Sequence, residues 1–128
     1  MERPTLAPKA AEPISRDEIL NWPKVDLHCH LDGSMRLSTL IELAHEFNVE
    51  LPSNDEKELR EYLGIGKKFS ELEDYLKVFD TTLSVLQSKE ALERVAFELA
   101  EDAAKENVVY LEVRFAPVFH TSHALKWS

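Results

Sequence analysis

Asp26, His28, His30 and Asp32 alternate along one short stretch, Lys24-Val-Asp-Leu-His-Cys-His-Leu-Asp-Gly-Ser34. In an extended strand, residues two apart share a face. Asp26, His28, His30 and, if the strand extends that far, Asp32 then point one way, and Val25, Leu27, Cys29 and Leu31 point the other. Two imidazoles on one strand face stand about 6–7 Å apart at Cα. Both can therefore reach a single ion at a Zn–N distance of ~2.0–2.1 Å. Neutral imidazole suits zinc, iron or nickel. A catalytic zinc site needs at least three protein ligands and a water, and this strand offers two. Asp32, just before the turn at Gly33-Ser34, adds a carboxylate beside them.

The stretch must be held by other elements, and the apolar spacing locates them. Residues 1–14 carry Pro4, Pro8 and Pro13 without periodicity and form an irregular arm; residues 15–128 form one domain portion. Ser15 and Glu18 make a capping box for a short helix over 15–21, which Pro23 ends. The strand runs from Val25 to Leu31. Ser34 or Ser38 caps a helix with Leu40, Ile41, Leu43, Ala44 and Phe47 on its apolar face, and Asn48 ends it. Asn54 caps a shorter helix with Leu59, Tyr62 and Leu63, closed by Gly64. Ser70 and Glu73 form a second capping box before the stripe Leu72, Tyr75, Leu76, Phe79, Leu83 and Leu86. Ser88 starts a helix with Leu92, Val95, Ala96, Leu99 and Ala103 inward, closed at Asn107. Val108 to Phe115 is a second strand, limited by Pro117, and the tail from His120 has no pattern.

Strands separated by helices predict parallel pairing in an α/β fold. The segment between them is far longer than the ~30 residues of a simple βαβ unit, so extra helices are inserted there. Two strands close no sheet of this class. The expectation is the N-terminal part of a larger α/β protein whose helices cover the apolar strand faces. In a barrel the other face lines a site, at the C-terminal ends of the strands. His28, His30 and Asp32 lie at such an end. The competing arrangement is a half-exposed antiparallel sheet with its polar face in water. On the second strand Tyr110, Glu112 and Arg114 share one face and Val109, Leu111, Val113 and Phe115 the other. His45 suits a solvated or packed helix position, and Cys29 a small core residue. His120 and His123 follow the second strand, where a ligand role stays open.

Composition excludes several classes. The net charge of −9 disfavours nucleic acid and anionic membrane surfaces. No apolar stretch approaches the roughly 18–20 residues of a membrane span. One cysteine fits a reducing compartment, and no signal-peptide core is visible, so the expected location is the cytoplasm. The H-x-E…P-C-x-x-C pattern of one zinc deaminase class is absent.

Pro23 to Ser34, followed by Thr39-Leu-Ile-Glu-Leu-Ala44, resembles the N-terminus of the adenosine deaminase family, which are metal-dependent amidohydrolase barrels. Leu72-Glu-Asp-Tyr-Leu-Lys-Val-Phe79 is similar to that family's helix over the substrate pocket, and Val108 to Pro117 to its second barrel strand. The resemblance implies an incomplete TIM-type (β/α)8 barrel with extra helices between its first and second strands. It implies one Zn2+ per active site, with His28 and His30 as metal ligands. His30, Asp32 and Gly33 would contact a small-molecule purine nucleoside, Asp32 at the ribose. Leu72, Tyr75, Leu76 and Phe79 would form an apolar lid; a core-facing stripe is the equal alternative. Glu112 and Arg114 match a polar pair, for which a structural ion pair is the expected role.

The implied reaction is hydrolytic deamination of adenosine, and of deoxyadenosine, to inosine and ammonia by a zinc-activated water. The remaining zinc ligands and the general-acid glutamate come from later strands of the family, so no catalytic residue is expected in these 128 residues. A whole barrel takes about 250 residues. The chain alone is expected to bind zinc weakly and to show no turnover. Adenine or another 6-aminopurine is the alternative substrate. A non-catalytic fragment or interaction remnant is the alternative of a different class.

Overall fold

The computed structural model describes residues 13–66 and 72–121, with side chains left aside at 72–75 and 77. In chain order the elements are α1 (Arg16–Asn21), β1 (Lys24–His30), α2 (Leu37–Phe47), α3 (Glu56–Tyr62), α4 (Leu72–Val85), α5 (Lys89–Lys105), β2 (Val108–Arg114) and a 3₁₀ turn (Pro117–His120). β1 and β2 pair in parallel, with Lys24 opposite Val108 and His30 opposite Arg114. Irregularities after Lys24 and between Asp26 and Cys29 shift the register. The α/β class and the parallel pairing agree with the sequence.

Local chemistry accounts for most boundaries. Ser15 caps α1 by accepting from the Glu18 N–H, while the Glu18 carboxylate accepts from the Ser15 N–H. That contact lowers the Glu18 pKa. Asn48 ends α2 in the left-handed region at φ 53°, and Asn107 takes φ 60° beyond α5. Both are residue types that tolerate that conformation. Ser88 caps α5 by accepting from the Ala91 N–H.

Two caps differ from expectation. α2 begins after Arg36, which makes no side-chain cap, so neither Ser34 nor Ser38 has that role. The Ser34 hydroxyl instead donates to the His30 carbonyl. Asp55, not Asn54, caps α3, accepting from the Lys57 and Glu58 N–H groups. A carboxylate adds favourable charge at a helix N-terminus. The Ser70–Glu73 capping box and His123 lie outside the described residues.

The core lies among the helices. Leu37, Leu40, Leu43 and Ala44 of α2 pack with Leu59, Leu63, Val85, Leu86, Ala91 and Val95. Each fully buried leucine or valine stabilises the fold by roughly 1.5–3 kcal/mol. Charged side chains rim this core: Thr39 donates to Glu98, and Arg94 bridges Glu98 and Glu42. The expectation that helices cover the apolar strand faces fails. Val25 and Leu27 are 58% and 57% exposed, and Val109 is 67% exposed. Helix α5 packs on β2, but a two-stranded sheet offers more apolar surface than the described helices cover. Cys29 is half-buried and so no core member; its Sγ lies 3.2 Å from Ser34 Oγ.

Lys24 fixes where β1 starts. Its ammonium donates to the carbonyls of Leu20, Trp22 and Glu106, tying the ends of α1 and α5 to the strand. Among the described residues, no helix is long and apolar enough to cross a membrane.

Candidate active site

At the C-terminal end of β1 the two histidine rings converge. Their Nε2 atoms lie 3.1 Å apart and their ring centroids 5.1 Å apart. Two nitrogens bound to one tetrahedral zinc at ~2.0–2.1 Å are about 3.3 Å apart. The observed 3.1 Å is a hydrogen-bond distance between the two rings and is close to the spacing that a shared cation would impose. Strand alternation puts both rings on one face, and the His28 N–H donates to Asp26 Oδ1 just before the pair. Among the described residues no group of three metal-binding side chains forms, so the chain presents a pair.

Asp32 follows the strand and is 6% exposed. Its Oδ1 lies 3.7 Å from His30 Nδ1, too long for a hydrogen bond, and accepts none among the described residues. A buried carboxylate oxygen without a donor is costly, and a ligand hydroxyl or N–H would relieve that cost. Gly33 permits a close approach. A Cβ there would lie 3.2 Å from Phe79 Cε1, so the Phe79 ring packs against the turn where any larger residue would push it away. Phe79 also meets the His30 ring edge-on at 6.3 Å.

These groups share a cleft of about 540 Å³. His30 and Asp32 form one wall, Leu76, Phe79, Asp80 and Leu83 of α4 a second. Arg114, Phe115, Ala116 and Phe119 form the third. A smaller cavity of about 260 Å³ lies between Asp32, Phe79 and Thr82 and the loop Gly64–Gly66. The cleft is large enough for a small organic molecule, with aromatic walls for a flat ring and a few polar groups to orient it.

Most of the sequence-selected residues meet here: His30, Asp32, Leu76 and Phe79 line the cleft, and Gly33 and His28 adjoin it. Leu76 is half-exposed at the edge of the cleft. The side chains of Leu72 and Tyr75 lie outside the described set. Arg114 and Glu112 form the expected ion pair at 3.7 Å, and Arg114 also donates to the Leu27 carbonyl. Phe115 corrects the face assignment. β2 ends at Arg114, so alternation no longer applies, and Phe115 turns into the cleft beside it. His120 is fully buried with Nδ1 against the Leu86 carbonyl, and His45 is exposed on α2. Neither joins the histidine pair. Sequence reasoning missed Asp80 and Phe119, which carry no motif; Ala116 was visible only as part of the Val108–Pro117 stretch, and Leu83 only as part of the α4 stripe.

Behind the turn, Arg36 anchors the β1–α2 connection to α5 by pairing with Asp102 and Glu101. Its guanidinium holds the Asp102 carboxyl down at about 2, and Asp102 and Glu101 in turn raise the Arg36 pKa.

The parallel strand pair carries histidine and acidic side chains where its first strand ends, the place where α/β folds build their sites. A family model for adenosine deaminase matches residues 23–128, and the chain belongs to the adenosine deaminase family. It is 55% identical over 102 residues to an adenosine deaminase of Clostridium perfringens, covering 80% of this chain and 31% of that protein. It is 50% identical over 108 residues to one from Vibrio atlanticus, covering 84% and 32%. Among solved structures it is similar to the Arabidopsis N6-mAMP deaminase, with a TM-score of 0.61 and 32% identity over 80% of this chain and 31% of that one. Arabidopsis ADAL complexed with GMP gives a TM-score of 0.58 at 31% identity, with the same coverage. The chain thus spans about a third of the length of the relatives it matches.

Proposed function

We propose that this chain is the first part of a zinc-dependent adenosine deaminase barrel, with residues 15–128 contributing to a single catalytic domain. The open faces of β1 and β2 support this, since further strands and helices would cover them. The observation that carries the function is the convergence of His28 and His30 beside the buried, unsatisfied Asp32, in a chain of this family.

His28 and His30 would hold the metal through their Nε2 atoms. Zinc, when bound, acidifies a water toward neutral pH and so supplies the nucleophile. Asp32 would accept a hydrogen bond from a ribose hydroxyl, which satisfies Oδ1 and sets the register of the purine relative to the histidines. Phe79, Leu76 and Phe115 would flank the ring and exclude water. Gly33 lets Phe79 close on the turn. The proton donor to the ring and the remaining metal ligands would come from later strands of the family fold.

Nucleotide is the second substrate class to weigh, because the Arabidopsis neighbours are named for N6-mAMP or are complexed with GMP and IMP. Adenosine is favoured here. Proteins named adenosine deaminase are 50–55% identical to the chain, against 31–32% for those neighbours. The test is a chimera in which residues 23–121 replace the matching segment of the Clostridium perfringens adenosine deaminase. Adenosine, adenine, AMP and N6-methyl-AMP are offered separately. Loss of adenosine absorbance, with the other three at least roughly a hundred-fold slower in kcat/KM, is expected. Preference for AMP, or no turnover from a folded zinc-loaded chimera, would refute the assignment.

A further inference from the structure

Two of the cleft's three walls come from distant parts of the chain, α4 on one side and the end of β2 on the other. One cluster joins them. His120 is fully buried, and its Nδ1 lies 2.8 Å from the Leu86 carbonyl. A carbonyl only accepts, so Nδ1 carries the proton and Nε2 is left as the bare nitrogen. That Nε2 has no hydrogen-bond partner among the described residues. Burying an imidazole this way is costly, which marks the Nδ1 contact as one the fold retains against that cost. Gln87, the next residue after Leu86, donates through Nε2 to Phe119 O at 2.8 Å and to Leu83 O at 2.7 Å. The His120 ring also meets Phe115 edge-on, with centroids 5.6 Å apart.

The cluster sits where α4 ends. Val85 and Leu86 are fully buried, while Leu76, earlier in the helix, is half-exposed. The helix is therefore held at its C-terminal end. Leu83, Phe115 and Phe119, the residues gripped by Gln87 and His120, themselves line the cleft.

We propose that His120 and Gln87 are positioning residues: they clasp the C-terminal end of α4 to the segment after β2 and thereby set the width of the substrate cleft. The cleft's role as substrate site rests on the function proposed above, but the clasp does not. Neither residue touches the histidine pair, so their effect falls on substrate binding and not on the chemical step.

The test uses His120→Leu, His120→Asn and Gln87→Met. Leucine keeps apolar bulk and loses the donor; asparagine places an amide N–H near the position of Nδ1. Hydrogen exchange is measured on the 128-residue chain, comparing amides of α4 with those of α5. His120→Leu and Gln87→Met should speed exchange at Phe79–Val85 by about five- to ten-fold and leave α5 within two-fold, with His120→Asn restoring most of the protection. In the chimera, the same two variants should raise KM several-fold while kcat stays within about two-fold. Equal acceleration in both helices, no acceleration in α4, or a fall in kcat at unchanged KM would each overturn the clasp. Should His120→Leu not fold, Gln87→Met decides by the same criteria. A chimera without activity would count against the proposed function, while the exchange comparison would still decide the clasp.

Discussion

His28 and His30 were legible in the sequence because alternation in a strand fixes which side chains share a face. Their mutual distance was not, since it depends on two side-chain rotamers. The structure supplies it, at 3.1 Å between Nε2 atoms. Asp32 was visible as a carboxylate near the strand end, but its burial and its unsatisfied oxygen required the packing of α4 and the β1 turn. This gives a prediction at the residue scale. Asp32→Asn in the chimera keeps the shape but replaces an anionic acceptor with a neutral amide. KM for adenosine should rise roughly ten- to a hundred-fold, as loss of a charge-assisted hydrogen bond implies. Steady-state kinetics with adenosine and its 2′-, 3′- and 5′-deoxy analogues check it: the penalty should shrink for the one analogue that lacks the hydroxyl Asp32 contacts, and an equal penalty on all four would refute the contact. Gly33→Ala places a methyl 3.2 Å from Phe79 Cε1. The ring must shift by a few tenths of an ångström, so a loss of about 1 kcal/mol is expected in urea unfolding of the 128-residue chain.

Elements were predicted well where caps and periodicity agreed, as at Ser15, Asn48 and Ser88. They were misplaced where two polar residues competed. Asp55 beats Asn54 because its carboxylate reaches two N–H groups at once. Arg36 starts α2 without a side-chain cap because a guanidinium has no acceptor to offer the first-turn N–H groups; it pairs instead with Asp102 and Glu101 across the α5 face. No local pattern announces a pair that far apart in sequence. The acid behaviour of this tie can be worked out. Asp102 is depressed from its ordinary 3.8 to about 2, chiefly by the Arg36 hydrogen bonds. A carboxyl lowered in the folded state binds fewer protons folded than unfolded. Its stabilisation is therefore complete above 3.8 and is lost as pH falls through about 2. Glu101 is lowered by the same cation and acts in the same direction. Arg36→Met should lower the urea midpoint of the 128-residue chain at neutral pH by a small amount, because the pair is partly solvent-screened. The gap between wild type and variant should close as pH is lowered toward 2. A gap that persists there would assign the effect to packing of the arginine stem.

For the whole molecule, the class and the parallel pairing followed from strands separated by helices, whereas the coverage of the sheet did not. Helix stripes tell which faces seek burial but not against what. Here α2, α3 and the ends of α4 and α5 bury one another, and the outer surfaces of β1 and β2 stay open. A chain that spans about a third of its relatives and brings together two histidines, with no third ligating side chain among the described residues, is expected to show no deamination alone. An ammonia-release assay on the 128-residue protein checks this. The central claim is that His28 and His30 bind the catalytic zinc. It is tested most directly by metal content and adenosine turnover of the chimera beside its His28→Ala/His30→Ala double variant. One zinc per wild-type chimera, and loss of both zinc and at least roughly a thousand-fold of turnover in a double variant that still folds, is the predicted result. A folded double variant that keeps its zinc, or turns over adenosine at the wild-type rate, would contradict it.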